Sequence, residues 1–184
     1  MPRPALAALA LLTVVLVAGC SGDGDDKPAP TAESSATLSA ADRLVQTGLQ
    51  QLDAGDDVKA RATFENVLEL DPDNVYAHYN LGLLAQEAGK QDVAIERYDA
   101  ALATDPAFAP ALYNKGIVLE TTDLDASVEL YRRAVAADPE MAAAHMRLGF
   151  ALLHLGETEE AEEHLATGVE LDPSMADVEA PSYD

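Results

Sequence analysis

Histidine, cysteine, serine and the acidic residues are the types in this sequence that could bind a metal ion or act as a base or a nucleophile. The 184 residues include four histidines and one cysteine. Glu160 and His164 are four positions apart, so a helix would place both on one face, as two metal ligands would be placed. No third ligand converges on this pair, and no serine or cysteine has a candidate base nearby. The sequence therefore predicts no metal site, no cofactor and no enzymatic activity.

The single cysteine ends the segment Val17-Ala18-Gly19-Cys20. Before it come Arg3 and a largely apolar run, 5–17, which is shorter than the roughly 20 residues that a membrane-spanning helix needs. The segment resembles a bacterial lipoprotein signal peptide, and this resemblance implies that residues 1–19 are removed and that Cys20 carries the lipid. An ordinary secretory signal that leaves a free thiol is the alternative.

The charge of the chain limits its direct partners. Its 33 acidic and 11 basic residues give a formal net charge of -22. A surface with this charge repels nucleic acid and anionic lipid headgroups, so neither is expected to bind directly. Acidic helix faces are usually solvated, and we interpret most of these carboxylates in that way. The segment after Cys20, up to residue 38, has no apolar periodicity and is predicted to be a flexible tether.

From residue 41 onward, several positions recur together at intervals of 33 or 34 residues. Apolar residues at helical spacing within each interval predict two helices joined by a tight turn. A fixed period of this length predicts stacked supersecondary units. The recurring residues are the prolines Pro72, Pro106, Pro139 and Pro173, the glycines Gly48, Gly82, Gly116 and Gly149, the small residues Ala60, Ala94, Ser127 and Ala161, and the large residues Phe64, Tyr98, Tyr131 and Leu165.

The repeated pattern resembles the tetratricopeptide repeat. In the second copy, the positions that carry the resemblance are Tyr79, Asn80, Leu81, Gly82, Gly89, Ala94, Tyr98, Ala101 and Pro106. The resemblance implies an all-α fold, a right-handed α-solenoid of four helix-turn-helix repeats. We expect the repeats to occupy 39–173, at about 41–74, 75–108, 109–141 and 142–175, with a short acidic tail at 174–184. In that tail, Ser174 and Asp177 are expected to cap one short turn, and Met175 and Val178 to cover part of the last helix.

The third copy is one residue shorter than the others and lacks the usual turn glycine. We expect the deletion at Thr121-Thr122-Asp123, between the two helices of that copy.

In the resembled family, the first helices of successive repeats line a concave groove. An apolar and aromatic groove within an acidic shell suits an amphipathic helix or an extended peptide, with tyrosines as anchors and asparagines bonded to the bound backbone. The alternative is that the Tyr-Asn pair occurs in this place whatever the protein binds. The residues expected to face the groove are Val45, Leu49, Tyr76, Tyr79, Asn80, Leu83, Tyr113, Asn114, Ile117, Met146, Arg147 and Phe150, together with Leu52 and Leu153.

These features predict a bacterial protein-interaction scaffold without enzymatic activity. We expect it to be exported, anchored by the lipid on Cys20 to the outer face of the cytoplasmic membrane, and to bind a protein or peptide partner in the groove. One alternative is an assembly lipoprotein of a secretion, pilus or outer-membrane machine. Another is an accessory subunit of an envelope enzyme.

Overall fold

The computed structural model describes residues 38–183, and this part of the chain is helical throughout, without a strand. Eight α-helices are followed by one short 3-10 helix. They are α1 (Ala40–Asp53), α2 (Asp57–Leu70), α3 (Val75–Glu87), α4 (Gln91–Thr104), α5 (Ala109–Leu119), α6 (Leu124–Ala137), α7 (Ala142–Leu155) and α8 (Thr158–Leu171), and the 3-10 helix is Pro173–Asp177.

The helices are arranged as four hairpins that follow one another. Helix α1 packs on α2, α3 on α4, α5 on α6 and α7 on α8. Each hairpin then packs on the next one, through α2 with α3, α4 with α5 and α6 with α7. The first helices α3 and α5 also contact each other directly. This arrangement confirms the predicted all-α solenoid of helix-turn-helix repeats.

The recurring glycines are the places where the two helices of a hairpin approach most closely. A Cβ atom added to Gly82 in α3 would lie 2.5 Å from Cε1 of Tyr98 in α4, whose side chain is fully buried. The equivalent distances are 2.7 Å from Gly48 to Phe64, 2.5 Å from Gly116 to Tyr131 and 2.6 Å from Gly149 to Leu165. The sequence therefore repeats once for each contact between a glycine on a first helix and a large residue on the second helix. A larger residue in place of the glycine would force the two helices apart.

The turns between the two helices of a hairpin are of two kinds, with and without a glycine at positive φ. Gly55, Gly89 and Gly156 have positive φ angles of 74°, 69° and 85°, which glycine adopts without steric cost. The third hairpin has no such glycine: α5 ends at Leu119, and the backbone N–H of Asp123 donates to the Leu119 carbonyl at 2.7 Å. The missing residue shortens α5, which has 11 residues where the other first helices have 13 or 14, and the connection 120–123 itself is not shorter than those of the other hairpins.

The chain after α8 differs from the prediction. The cap of the 3-10 helix is Asp172, whose Oδ1 accepts from the Ser174 backbone N–H at 3.0 Å, rather than Ser174 or Asp177. Val178 is 45% exposed, so it does not cover the last helix as expected. Tyr183 instead returns to pack against a core cluster of the third and fourth hairpins.

The predicted signal peptide, Cys20 and most of the predicted tether fall within residues 1–37 and lie outside the described residues. None of the helices between residues 38 and 183 is long and apolar enough to cross a bilayer.

Candidate functional site

A stripe of large apolar residues runs along the first helices of the four hairpins. Each member directly follows one of the closely packed glycines, so it takes the same position in its helix. One residue step turns a side chain by roughly 100°, away from the second helix that the glycine faces. Leu49 is 45% exposed, and the other members are half-buried. We call the side of α1, α3, α5 and α7 that carries Leu49, Leu83, Ile117 and Phe150 the first-helix face.

An aromatic group extends this surface at the start of α3. The ring of Tyr76 is 56% exposed and meets Phe108 edge to face, with ring centroids 5.7 Å apart. Tyr79 meets the same Phe108 ring at 5.3 Å, but it is half-buried, and burial raises the pKa of Tyr79 to about 12. Of the two predicted tyrosine anchors on α3, Tyr76 is therefore the accessible one, whereas Tyr79 packs against Phe108 and Tyr98.

The two asparagines expected to bind a partner backbone bind the protein itself. Asn80 is only 4% exposed, and its Nδ2 donates to the carbonyl of Tyr76 at 2.7 Å. Asn114 donates to the carbonyl of Pro110 at 2.9 Å and to the hydroxyl of Tyr79 at 3.2 Å. The second of these bonds joins α3 to α5. The prediction is corrected for Asn80, which is buried because a side-chain amide placed one turn into a helix reaches the carbonyl four residues earlier. Asn114 is half-buried, and a role for it in binding a partner stays a prediction.

Val45 and Met146 were also predicted to face the groove, and the structure places both in the interior. They are 8% and 6% exposed. Met146 packs where Gly168 of α8 has no side chain: a Cβ added to Gly168 would lie 2.7 Å from its sulfur. Tyr79 and Tyr113 take the same helical position in the middle hairpins and are half-buried there. This position thus points between core and surface, and an aliphatic side chain placed there is covered.

The third and fourth hairpins are joined by a buried ion pair. Glu120, at the end of α5, is 7% exposed and accepts from Arg147 Nη1 at 2.8 Å. Its other carboxylate oxygen accepts from the Tyr131 hydroxyl at 2.6 Å, and burial, with the Glu120 carboxylate beside it, raises the pKa of Tyr131. Tyr113 lies beside Arg147, and burial raises the pKa of Tyr113 as well. Arg147 was predicted to face the groove. Glu120 was not predicted as a site residue, because the sequence does not distinguish it from the many other acidic residues.

The histidine that sequence analysis paired with Glu160 has a different main partner. Nδ1 of His164 lies 2.9 Å from Nδ1 of His145, and Nε2 of His145 lies 3.2 Å from the carbonyl oxygen of Pro139. Glu160 is 3.9 Å from His164 and accepts from Arg132 at 2.9 and 3.0 Å. Across residues 38–183, no group of three or more histidine, cysteine or acidic side chains is placed to hold a metal ion.

Tyr183 is a residue of this surface that the sequence analysis missed. It packs against the cluster formed by Val128, Tyr131, Leu148, Ala151, Leu152 and Ala161. Its ring lies 5.1 Å from that of His154 on α7, measured between centroids. Burial raises the pKa of Tyr183, and Glu120 and Arg147 are both close enough to act on its hydroxyl. A lone tyrosine in a polar segment carries no periodic signal that would have revealed this contact.

Comparison with known proteins places these features in a family. Two family models, both described as tetratricopeptide repeat, match the chain. One matches residues 46–107 and 81–122, and the other matches residues 118–180.

Individual relatives agree with this match. The type IV pilus assembly protein PilF of Pseudomonas aeruginosa is 34% identical over 110 residues, which make up 60% of this chain and 43% of PilF. The chain thus spans less than half the length of that curated relative. A solved structure from a study of Pseudomonas aeruginosa PilF has a TM-score of 0.65 at 28% identity, and the match covers 73% of this chain and 62% of that one.

A second solved structure is MamA from Desulfovibrio magneticus RS-1, with a TM-score of 0.60 at 29% identity; the match covers 74% of this chain and 77% of that one. The matches to the family models run from residue 46 to residue 180. Since these matches span all four hairpins, the chain belongs to the tetratricopeptide repeat family.

Proposed function

We propose that this protein is a lipid-anchored scaffold, not an enzyme, that binds a segment of a partner protein along its first-helix face. The observation that carries the proposal is the stripe of Leu49, Leu83, Ile117 and Phe150, which repeats once per hairpin and is partly exposed along its whole length. Apolar side chains aligned at a regular spacing fit the apolar face of an amphipathic helix or the alternate side chains of an extended peptide.

The two most exposed of the predicted groove residues lie in the first two hairpins, and Leu153 on α7 follows at 41% exposed. Leu49 and Tyr76 are 45% and 56% exposed, and Phe108 supports the Tyr76 ring from one side. Aromatic side chains of this kind give a large contact area with little loss of conformational freedom, and they are frequent hot spots of interfaces. We therefore place the main energetic contribution to partner binding at these two residues.

Charge is expected to affect the rate of association more than the equilibrium affinity. The whole chain carries a net charge of -22, so a partner segment flanked by lysine or arginine would be attracted over long distances. The carboxylates of Glu159 and Glu163 at the start of α8 are exposed and lie on a second helix. We assign them to solvation and to this long-range attraction.

The anchor is part of the proposal and rests on the sequence Val17-Ala18-Gly19-Cys20. A diacylglyceryl group on Cys20 supplies two acyl chains, and stable anchoring takes more than one, at about 0.8 kcal/mol for each buried methylene. Export followed by lipidation would hold the repeats at the outer face of the cytoplasmic membrane.

A role in assembling a pilus or a related envelope machine is the second candidate function. It is favoured by the 34% identity to a type IV pilus assembly protein over 110 residues. In this version, the partner on the first-helix face is a component of the assembly rather than a single soluble protein.

Site-specific photo-crosslinking in cells tests the proposal. A photoreactive phenylalanine analogue replaces Tyr76 in one strain and Val58 in another; Val58 is 81% exposed on the second helix α2. We expect a defined crosslinked protein from position 76 and none from position 58. Crosslinking of the same protein from position 58 alone would contradict the proposal.

A further inference from the structure

We infer that the part of the first-helix face around His154 and Arg147 is a pocket for one aromatic side chain of an extended partner segment, and that Tyr183 of this chain fills it until the partner arrives. The inference rests on the proposed function, because it names the side chain that a partner places on this face. It goes beyond that function by specifying a phenylalanine in the partner and an internal competitor.

The contacts of Tyr183 identify the pocket. The ring packs beside His154 of α7 and against the core cluster of the third and fourth hairpins, against which Ile117 of the apolar stripe also packs. Glu120 and Arg147, which join those hairpins, lie near its hydroxyl. Tyr183 therefore covers part of the surface on which a partner is proposed to bind.

The segment that brings Tyr183 to this place is held by few other contacts. The 3-10 helix before it has no buried residue, and Val178, Glu179, Ala180 and Ser182 are exposed. Pro181 and Tyr183 are half-buried. An element with so little buried surface opens without unfolding the helices beneath it, so Tyr183 can leave its pocket.

The chemistry of the pocket favours phenylalanine over tyrosine. The Tyr183 hydroxyl oxygen is buried, and within residues 38–183 no group forms a hydrogen bond with it. A buried hydroxyl without a partner has a cost that the same ring without the oxygen avoids. Phenylalanine in an otherwise identical segment would therefore bind more tightly, and a partner that carries one would displace the internal tyrosine.

A peptide supplied in trans tests the inference without requiring the natural partner. The probes are fluorescein-labelled peptides of residues 177–184, in the natural form and with Tyr183→Phe or Tyr183→Ala. Binding is measured by fluorescence anisotropy at 150 mM salt to the full-length chain in detergent, either wild type or Tyr183→Ala. All three peptides have the same charge, so differences in binding report on the aromatic ring.

We expect the phenylalanine peptide to bind the Tyr183→Ala chain about tenfold or more tightly than the wild-type chain, whose pocket is filled. It should bind about fivefold more tightly than the tyrosine peptide, given the cost of an unpaired hydroxyl, and the alanine peptide should not bind measurably. Adding His154→Ala to the Tyr183→Ala chain should weaken binding about threefold, since an aromatic contact is removed. His154 is exposed, so its loss leaves the core intact, and Val93→Ala on α4 serves as the control without effect.

Equal binding of the phenylalanine peptide to both chains would overturn the inference, and so would equal binding of the phenylalanine and alanine peptides. A wild-type chain that is dimeric, with a monomeric Tyr183→Ala variant, would also overturn it, because Tyr183 would then join two copies. If partner crosslinking from position 76 persists in any of these cases, the pocket is wrong while the proposed function stands.

Discussion

Arg147 on α7 donates a hydrogen bond to Glu120 at the end of α5, with 2.8 Å between Nη1 and Oε2. The other oxygen of this carboxylate accepts from the Tyr131 hydroxyl at 2.6 Å. Both oxygens of the Glu120 carboxylate, which is 7% exposed, therefore accept a hydrogen bond, and one of the two donors is a cation. The pair connects two hairpins at the point where the shortened third repeat meets the fourth, and it lies under the surface that Tyr183 covers.

Replacing Arg147 by methionine should destabilise the protein. The change keeps the apolar stem but leaves the Glu120 carboxylate buried with only one partner. Losing a hydrogen bond to a charged group costs about 1.5–3 kcal/mol, and Arg147 is 31% exposed, so we expect a value near the lower end. Urea denaturation at pH 7 measures the loss. In the double variant with Glu120→Gln, the loss should be smaller than the sum of the two single losses, and additive losses would contradict the assigned pairing.

Ala94→Leu should lower the free energy of unfolding by about 1–3 kcal/mol, because its side chain is fully buried between α3 and α4 and overpacking strains such a contact. Ala103→Leu on the same helix is the matched control, since Ala103 is exposed. Thermal unfolding followed by circular dichroism compares the two. If Ala103→Leu proved the more harmful change, the assigned packing of the second hairpin would be wrong.

The His145–His164 contact should make stability fall in mild acid. Burial of His164, together with the neighbouring His145, lowers the pKa of His164 below its ordinary value of 6.5, although Glu160 and Glu163 act in the opposite direction and Arg132 in the same one. The folded state then binds fewer protons than the unfolded state. The contribution is present above pH 6.5 and is lost as the pH falls through this value toward the lowered folded pKa.

His164→Gln is the variant that isolates this effect, because a neutral amide replaces the ring. Between pH 7.5 and pH 5.5, the wild type should lose stability relative to His164→Gln in urea denaturation. A wild type that gains stability relative to the variant over this interval would mean that the attraction to Glu160 outweighs burial.

Cys20→Ala should move the protein from the membrane fraction to the soluble fraction, or leave the precursor uncleaved, if Cys20 carries the lipid. Mass spectrometry of the mature wild-type protein should find a lipid-modified cysteine as its first residue. An unmodified mature N-terminus at any other residue would refute the anchor.

Some of this structure could be predicted from the sequence because it repeats. The positions of the glycine and of the large residue that it contacts recur four times, so their contact, as in Gly82 with Tyr98, defines both the helix pairs and their order. Single contacts do not repeat and were missed: nothing in the sequence indicates that Asn114 bonds to Tyr79, or that Tyr183 returns to α7.

The candidate site was predicted less well than the fold for a similar reason. A helical position that points between core and surface holds Val45 and Met146 in the outer hairpins and tyrosines in the middle ones. The exposure of a residue at such a position depends on the length of its side chain and on the size of its neighbours. Met146, for example, is buried because Gly168 has no side chain and leaves room for it. The periodicity of the sequence predicts where such a residue lies on its helix, but it does not predict how exposed its side chain is.

The central claim, that a partner binds along the first-helix face, is tested most directly by calorimetry with the partner identified by crosslinking. The test variant is Leu49→Ala with Tyr76→Ala, since both side chains are exposed and their loss leaves the core intact. The controls are Val58→Ala with Val93→Ala, and Glu159→Gln with Glu163→Gln, all on second helices. We predict that the test variant loses about 2 kcal/mol or more of binding free energy and that both controls keep the wild-type affinity. Unchanged affinity in the test variant, with loss in either control, would contradict the account and place the partner on the second helices.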